Sequence, residues 1–251
     1  MTLRFFAALR YLLVIFIIAL TALLIFAEGL IPYNFLITSI AISILAFVNL
    51  LDAYAARDGR WFRFSLLLLV AMICGTTGDF LMAGVFYITP EPVINGIIMF
   101  GLGHLFYLQG LREKSPLLLN SKESATIAGG RVIIRNLLIW LVFIVGVLVV
   151  FYLTVFNPAN LAMGIAALLY GVLLVTLLAF ASTKWFDEFT IWFKLALPIG
   201  FFFFLFSDWI LAVRFFIDPS FLTGTMVGVT YIIGQTLIHL AAPGEKAFKT
   251  K

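Results

Sequence analysis

Long apolar runs separated by short polar segments make up almost the whole chain. Eight of these runs reach the length, about 20 residues, that a helix needs to cross the hydrocarbon core of a bilayer. They lie at roughly 11–27, 33–51, 64–87, 93–111, 136–156, 160–181, 192–216 and 221–241. The pattern predicts an all-α fold: a polytopic integral membrane protein whose eight-helix bundle forms a single transmembrane domain over residues 1–251 and leaves no room for a soluble domain. The longest polar stretch, Arg112 to Arg135, contains SPLLLNSKESATIAGGR and reads as a loop with a short interfacial helix, dividing the bundle into two four-helix halves.

Composition agrees, with 64% hydrophobic and 11% charged residues and a mean hydropathy of +1.16, far from soluble averages. The basic residues turn the spans into a topology. Arg4 and Arg10 precede the first span, Arg57, Arg60 and Arg63 lie between spans two and three, and Arg112, Lys114, Lys122, Arg131 and Arg135 follow span four. Lys184 and Lys194 fall between spans six and seven, and Lys246, Lys249 and Lys251 form the tail. Eight crossings put all but one of the 16 Lys and Arg on one side, the exception being Arg214. Such asymmetry places both termini in the cytoplasm, as expected for a bacterial cytoplasmic (inner) membrane protein.

The net charge of +4 then reflects basic residues that border helices and touch anionic headgroups, and it gives no ground for a nucleic-acid partner. Arg4 and Arg10 ahead of an apolar run also suggest a signal peptide. The run is long, however, no small-x-small cleavage site follows it, and its removal breaks the charge parity, so it is expected to persist as a span. The single Cys74 excludes an internal disulfide, and His104 and His239 are too few for a metal-ligand cluster. No metal and no other cofactor is expected.

Two carboxylates interrupt the apolar pattern: Asp79 in MICGTTGDFLMAG and Asp208 in FFFFLFSDWILAV. An ionisable group inside a span costs several kcal/mol unless it is paired, protonated or facing water, so it marks a candidate site. At about 1.5 Å per residue, Asp79 lies roughly 22 Å and Asp208 about 24 Å across a core about 30 Å thick. His104 and Tyr231, on inward-running spans, lie roughly 15–17 Å below the outer surface, with Gln235 one turn deeper. Tyr231 and Gln235 are spaced i, i+4 and His104 and Tyr107 i, i+3, so each pair shares a helix face. One polar cavity between spans three, four, seven and eight is expected to contain all six groups. Each also has a plainer reading: an intramembrane Asp, Tyr or Gln commonly bonds a neighbouring helix, and a neutral histidine bridges two helices. Ser207 has no base placed beside it by the sequence, which speaks against a serine nucleophile.

These residues together resemble the YhhN-like family of membrane proteins, which includes the lysoplasmalogenases. The resemblance rests on Gly78-Asp79 with Leu81 on span three, Gly96, Phe100, His104 and Tyr107 on span four, Tyr170 on span six, Ser207-Asp208 on span seven, and Tyr231 with Gln235 on span eight. It runs from about residue 60 to 240, and spans one and two add nothing to it. It implies a lysophospholipid substrate: hydrolysis of the vinyl ether bond of lysoplasmenyl-ethanolamine or -choline to a fatty aldehyde and a glycerophospho-base. Asp79 and Asp208 are then the catalytic pair, with His104, Tyr107, Tyr170, Ser207, Tyr231 and Gln235 lining the substrate site or supporting the acids. The chemistry suits two carboxyls, because like charges in a low-dielectric cavity cannot both ionise cheaply and tend to hold one proton between them. Which aspartate is the acid, the headgroup and chain preference, and the oligomeric state stay open. Two other classes stand beside this one. A ceramidase-like zinc hydrolase calls for more histidines than the two present. A proton-coupled transporter or lipid-binding protein would use the same aspartates, but no Gly/Pro-broken helices occupy matching positions in the two halves.

Overall fold

A computed structural model of the chain describes residues 2–27, 33–113, 127–156, 161–183 and 189–249. Among the described residues there are eight helices and no strand: α1 Thr2–Phe26, α2 Asn34–Ala55, α3 Gly59–Met82, α4 Pro92–Glu113, α5 Ile127–Thr154, α6 Leu161–Thr183, α7 Ile191–Phe216 and α8 Gly224–Lys249. All eight are long and apolar enough to cross a membrane. Most of the stretch expected to hold a short interfacial helix, residues 114–126, lies outside the described residues.

Helix ends follow capping chemistry rather than hydropathy. Span three was expected to run to residue 87, but α3 stops at Met82. Gly84 sits in the left-handed region at φ 71°, its N–H bonds the carbonyl of Leu81 and the N–H of Val85 that of Phe80, a Schellman closure that satisfies the last carbonyls. Pro92 then supplies the first residue of α4, where a missing N–H costs nothing. At the other end of α3, Asp58 accepts from the Trp61 N–H at 3.3 Å and starts the helix at Gly59, several residues before the expected 64, because Arg60 and Arg63 depress hydropathy without disfavouring helix. Arg4 and Arg10 do the same for α1, which starts at Thr2 rather than residue 11.

In packing, α8 touches α7, α1, α2 and α3, while α4 joins α3 to α6. α5 is peripheral: none of its apolar window is buried, and its main neighbour is α6. The run Phe201–Phe204 divides by face, Phe201 and Phe204 buried and Phe202 half exposed, as a 3.6-residue period demands. The tightest crossing is α7 on α8. A Cβ built on Gly200 meets the Gly234 carbonyl oxygen at 2.9 Å, and one on Gly234 meets the Gly200 carbonyl oxygen at 2.8 Å. In a bilayer, where lipid tails are as apolar as leucine, such small-residue contact is what lets two backbones associate closely. It also sets Ser207 and Asp208, two turns beyond Gly200, against the first turns of α8.

Opposite charge joins the other end of the bundle. Arg10 of α1 bonds Asp52 of α2 at 3.0 Å. At the end that carries only Arg214, that guanidinium donates to the carbonyls of Phe221 at 3.2 Å and Leu222 at 2.5 Å and holds the α7–α8 turn. Within that turn the Ser220 hydroxyl and N–H both bond Asp218 and hold its carboxyl below the usual carboxylate range.

We predict that Gly234→Val lowers the thermal midpoint of the detergent-solubilised protein, since forcing extra carbons into a packed crossing typically costs about 1–3 kcal/mol. Gly146, which faces open space, is the control position. Equal melting of Gly234→Val and Gly146→Val proteins contradicts the close α7–α8 contact.

Candidate active site

Asp79 lies near the end of α3, one turn before its cap, and is buried. Its Oδ2 accepts a hydrogen bond from the Ser39 hydroxyl of α2 at 2.5 Å and one from the Tyr231 phenol of α8 at 3.1 Å. Ser39 continues into a hydroxyl chain, its Oγ 3.0 Å from Thr76 Oγ1, which is 2.8 Å from Ser43 Oγ. Three helices therefore meet at one carboxyl, as intramembrane acids require when water is scarce. The small residue before it matters too: Gly78 leaves space for the Phe100 ring, which a Cβ would meet at 3.0 Å, so α4 can lie close against the acid-bearing turn.

Asp208 stands two turns before the end of α7. Its Oδ2 accepts from the Tyr170 phenol of α6 at 2.6 Å, and its Oδ1 from the Ser207 hydroxyl at 3.2 Å. Ser207 also bonds the Phe204 carbonyl at 3.0 Å, so its hydroxyl is occupied locally and no imidazole stands by it among the described contacts. Both carboxylates line the same cavity of about 350 Å³, together with Ser207 and Tyr231. The rest of its wall includes Leu24 of α1, Phe35 of α2, Met82 and Ala83 closing α3, and Gly224, Thr225, Val227 and Gly228 opening α8. Those positions are the ends of α1 and α3 and the starts of α2 and α8, so the cavity lies at the Arg214 end of the bundle.

Depth along the helices predicted this meeting of Asp79, Asp208 and Tyr231. It overreached for the other polar groups. Tyr107 donates to Gln235 Oε1 at 2.6 Å and lies 3.1 Å from His239 Nε2, and the Asn49 amide bonds the His239 carbonyl at 2.7 Å. This is a second polar cluster, tying α2, α4 and α8 together deeper in the bundle, and none of its members lines the aspartate cavity. His239 is buried within it. His104 lines the cavity no better: it is buried with neither ring nitrogen hydrogen-bonded among the described residues, its ring packed on Tyr170 at 5.0 Å and Phe204 at 5.1 Å. Of the six polar groups expected in one cavity, three line it, Tyr107 and Gln235 join the second cluster, and His104 belongs to neither, because depth fixes how far along a helix a residue sits but not which way it points. Tyr170 joins the site from the side of α6 rather than from within that cavity.

Sequence reasoning missed Ser39, the shorter of the two bonds to Asp79, along with Thr76 and the α1–α2 wall. The available signal was the pair Ser39 and Ser43, one turn apart within an otherwise apolar span. No group of three or more His, Cys, Asp or Glu side chains arranged to hold a metal ion exists among the described residues. What the cavity does offer is a pair of carboxyls held by hydroxyl donors, able to exchange a proton and to stabilise a cation.

The model that describes the YhhN family matches residues 35–242, so the match takes in α2, which the motif resemblance left out. Neither a curated protein nor a solved structure matches the chain significantly.

The His104 imidazole, which makes no hydrogen bond among the described residues, is the exchangeable part of this region. His104→Phe is predicted to leave the thermal midpoint within a few degrees of the parent, because replacing a buried unpaired polar group by an apolar one of similar shape is close to neutral. Unfolding monitored by tryptophan fluorescence checks this, and a large drop means that the ring nitrogens hold a partner that stabilises the fold.

Proposed function

The chain belongs to the YhhN family, and from that membership, together with a cavity lined by two intramembrane aspartates, we propose that it is a lysoplasmalogenase-type hydrolase. Its substrate is a lysoplasmenyl-ethanolamine or -choline, and its products are a fatty aldehyde and the glycerophospho-base. The observation that carries the reading is the shared cavity. Vinyl ether hydrolysis needs a proton donor, a nearby anion and one water, and two carboxyls facing one space supply the first two and orient the third.

In the proposed mechanism one aspartate, protonated, delivers its proton to the vinyl carbon beta to the ether oxygen. The C=C pair forms the new C–H bond, and the adjacent carbon becomes an oxocarbenium ion stabilised by the second, ionised aspartate. Water adds to that carbon and gives up a proton to a carboxylate. The resulting hemiacetal loses the glycerol oxygen as an alcohol, with a proton shifted from the hemiacetal hydroxyl, and leaves the aldehyde. One water is consumed and the acid pair returns to its starting charge. Hydroxyl donors from Ser39, Tyr231, Tyr170 and Ser207 support this division of labour, since they hold each carboxyl in place without carrying charge themselves. The bundle is proposed to sit with both termini in the cytoplasm, which puts the cavity near the outer face.

Asp79→Asn and Asp208→Asn are each predicted to lower aldehyde release at least by the roughly 10²–10⁴-fold that general acid catalysis contributes, while the purified variants stay folded and extractable. Ser207→Ala is expected to lose far less. The assay feeds lysoplasmenylethanolamine to purified protein and follows aldehyde through a coupled dehydrogenase. Near-parental turnover by either Asn variant removes that aspartate from the chemistry and favours a transport or lipid-binding role.

Turnover is also predicted to survive EDTA, because carboxylates and phenols without a histidine or thiolate set make a poor zinc site. Activity lost to the chelator and restored by zinc would replace the acid-pair mechanism with a metal-hydroxide one.

A further inference from the structure

A second hollow meets the aspartate cavity and differs from it in chemistry. It lies between α4, α5, α6 and α7, has a volume of about 160 Å³, and is walled by apolar side chains such as Val147 and Phe151 of α5, Ala167 of α6, and Leu205 and Ala212 of α7. Its polar groups are few and already engaged: the Tyr170 phenol donates to Asp208, and the Trp209 indole donates to Thr154 Oγ1 at 2.9 Å, tying α7 to the end of α5. A polar ligand there would leave its own donors and acceptors unmatched. The hollow has four residues in common with the aspartate cavity, Met82, Phe100, Leu211 and Asp208. Asp208 is thus the point where an apolar compartment and a polar one adjoin.

We infer that the hollow between α4, α5, α6 and α7 is the binding slot for the single hydrocarbon chain of the lipid substrate, with the polar end of that chain at Asp208 and the glycerophospho-headgroup in the aspartate cavity. The assignment rests on the proposed hydrolysis for the bond that is cut. A vinyl ether is itself the junction between a hydrocarbon chain and a polar glycerol, so a substrate spanning the two compartments carries its reactive bond to the carboxyl they share. Beyond Asp208 the wall continues to Phe216, roughly 12 Å along α7 at 1.5 Å per residue. Access agrees. α5 has none of its apolar window buried and leans mainly on α6, and Gly171 of α6 faces it with room to spare, a Cβ there meeting only Val147 Cγ2 at 3.7 Å. The slot is therefore bounded towards lipid by a lightly held helix. A chain can enter it sideways from the bilayer, and an aldehyde can return the same way while the headgroup product leaves from the polar cavity.

Two measurements test the slot. In the first, Ala212→Trp and the milder Gly171→Val fill it, and kcat/KM for aldehyde release is compared on lysoplasmenylethanolamines with short and long alkenyl chains. The ratio of long-chain to short-chain kcat/KM should fall about tenfold for Ala212→Trp, the effect of excluding roughly two methylenes from an apolar site. An unchanged ratio in both variants overturns the slot while leaving the hydrolase intact. The second needs no turnover: unmodified protein is photolysed with a lysoplasmenylethanolamine bearing a diazirine at the chain terminus, and the adducts are mapped by mass spectrometry. Adducts on α5 and on residues 167–174 of α6 support the slot even if no aldehyde is ever detected, an outcome that would refute the hydrolase reading alone. Adducts confined to α1, α2 or α8 place the chain elsewhere and reject the inference.

Discussion

A carboxyl group inside a hydrocarbon slab has to find its hydrogen-bond donors within the protein, and the arrangement of this bundle follows from meeting that demand twice. Asp79 on α3 draws a hydroxyl from α2 and a phenol from α8; Asp208 on α7 draws a phenol from α6 and its own neighbouring serine. Five of the eight helices are committed by these bonds. The donors are neutral, which matters for what the acids can do. A lysine or arginine partner would fix each carboxylate as an anion, whereas hydroxyls hold position and leave a proton free to move. The close contact of Gly200 with Gly234 serves the same end, because it seats α7, which carries Asp208, against α8, which carries the phenol that bonds Asp79.

Polar groups in the interior fall into zones of different use. Around the aspartates there is a cavity, and the polar atoms line empty space. Tyr107, Gln235 and His239 line neither that cavity nor the apolar hollow, and their polar atoms are spent on one another and on Asn49. A filled, mutually bonded network of this kind fixes the register of packed helices but offers nothing to a ligand. The stripe Tyr231, Gln235, His239 on α8 runs through both zones at four-residue intervals, and only its first member reaches the site.

The sequence carried the number of helices and the depth of the acids because both depend on length and hydropathy, which a chain states openly. It carried helix ends poorly, since those are decided by single residues such as Gly84 in its left-handed turn and Asp58 at its cap, and because Arg63 looks like a loop residue while sitting in a helix. Rotation about the helix axis was the larger gap. His104, Tyr107 and Gln235 lie at a depth compatible with the aspartates, and nothing in one sequence told which way their side chains turn. Ser39 escaped notice for a different reason: a serine in a span bonds its own backbone as readily as anything else, so its residue type carries no mark of the carboxylate it serves.

The bond from Tyr231 to Asp79 joins residues 152 positions apart in the chain, and that separation has a consequence for synthesis. When α3 leaves the ribosome, Ser39 is already made and Tyr231 is not. The acid must therefore enter the bilayer held by one hydroxyl and wait through four further helices for its second. Asp208 has no such wait, since Tyr170 precedes it by 38 residues. The aspartate cavity itself has no wall on the α8 side until that helix arrives. Insertion of α8 is thus the step that closes the site, and any nascent chain arrested before it carries both acids but has no enclosed space between them.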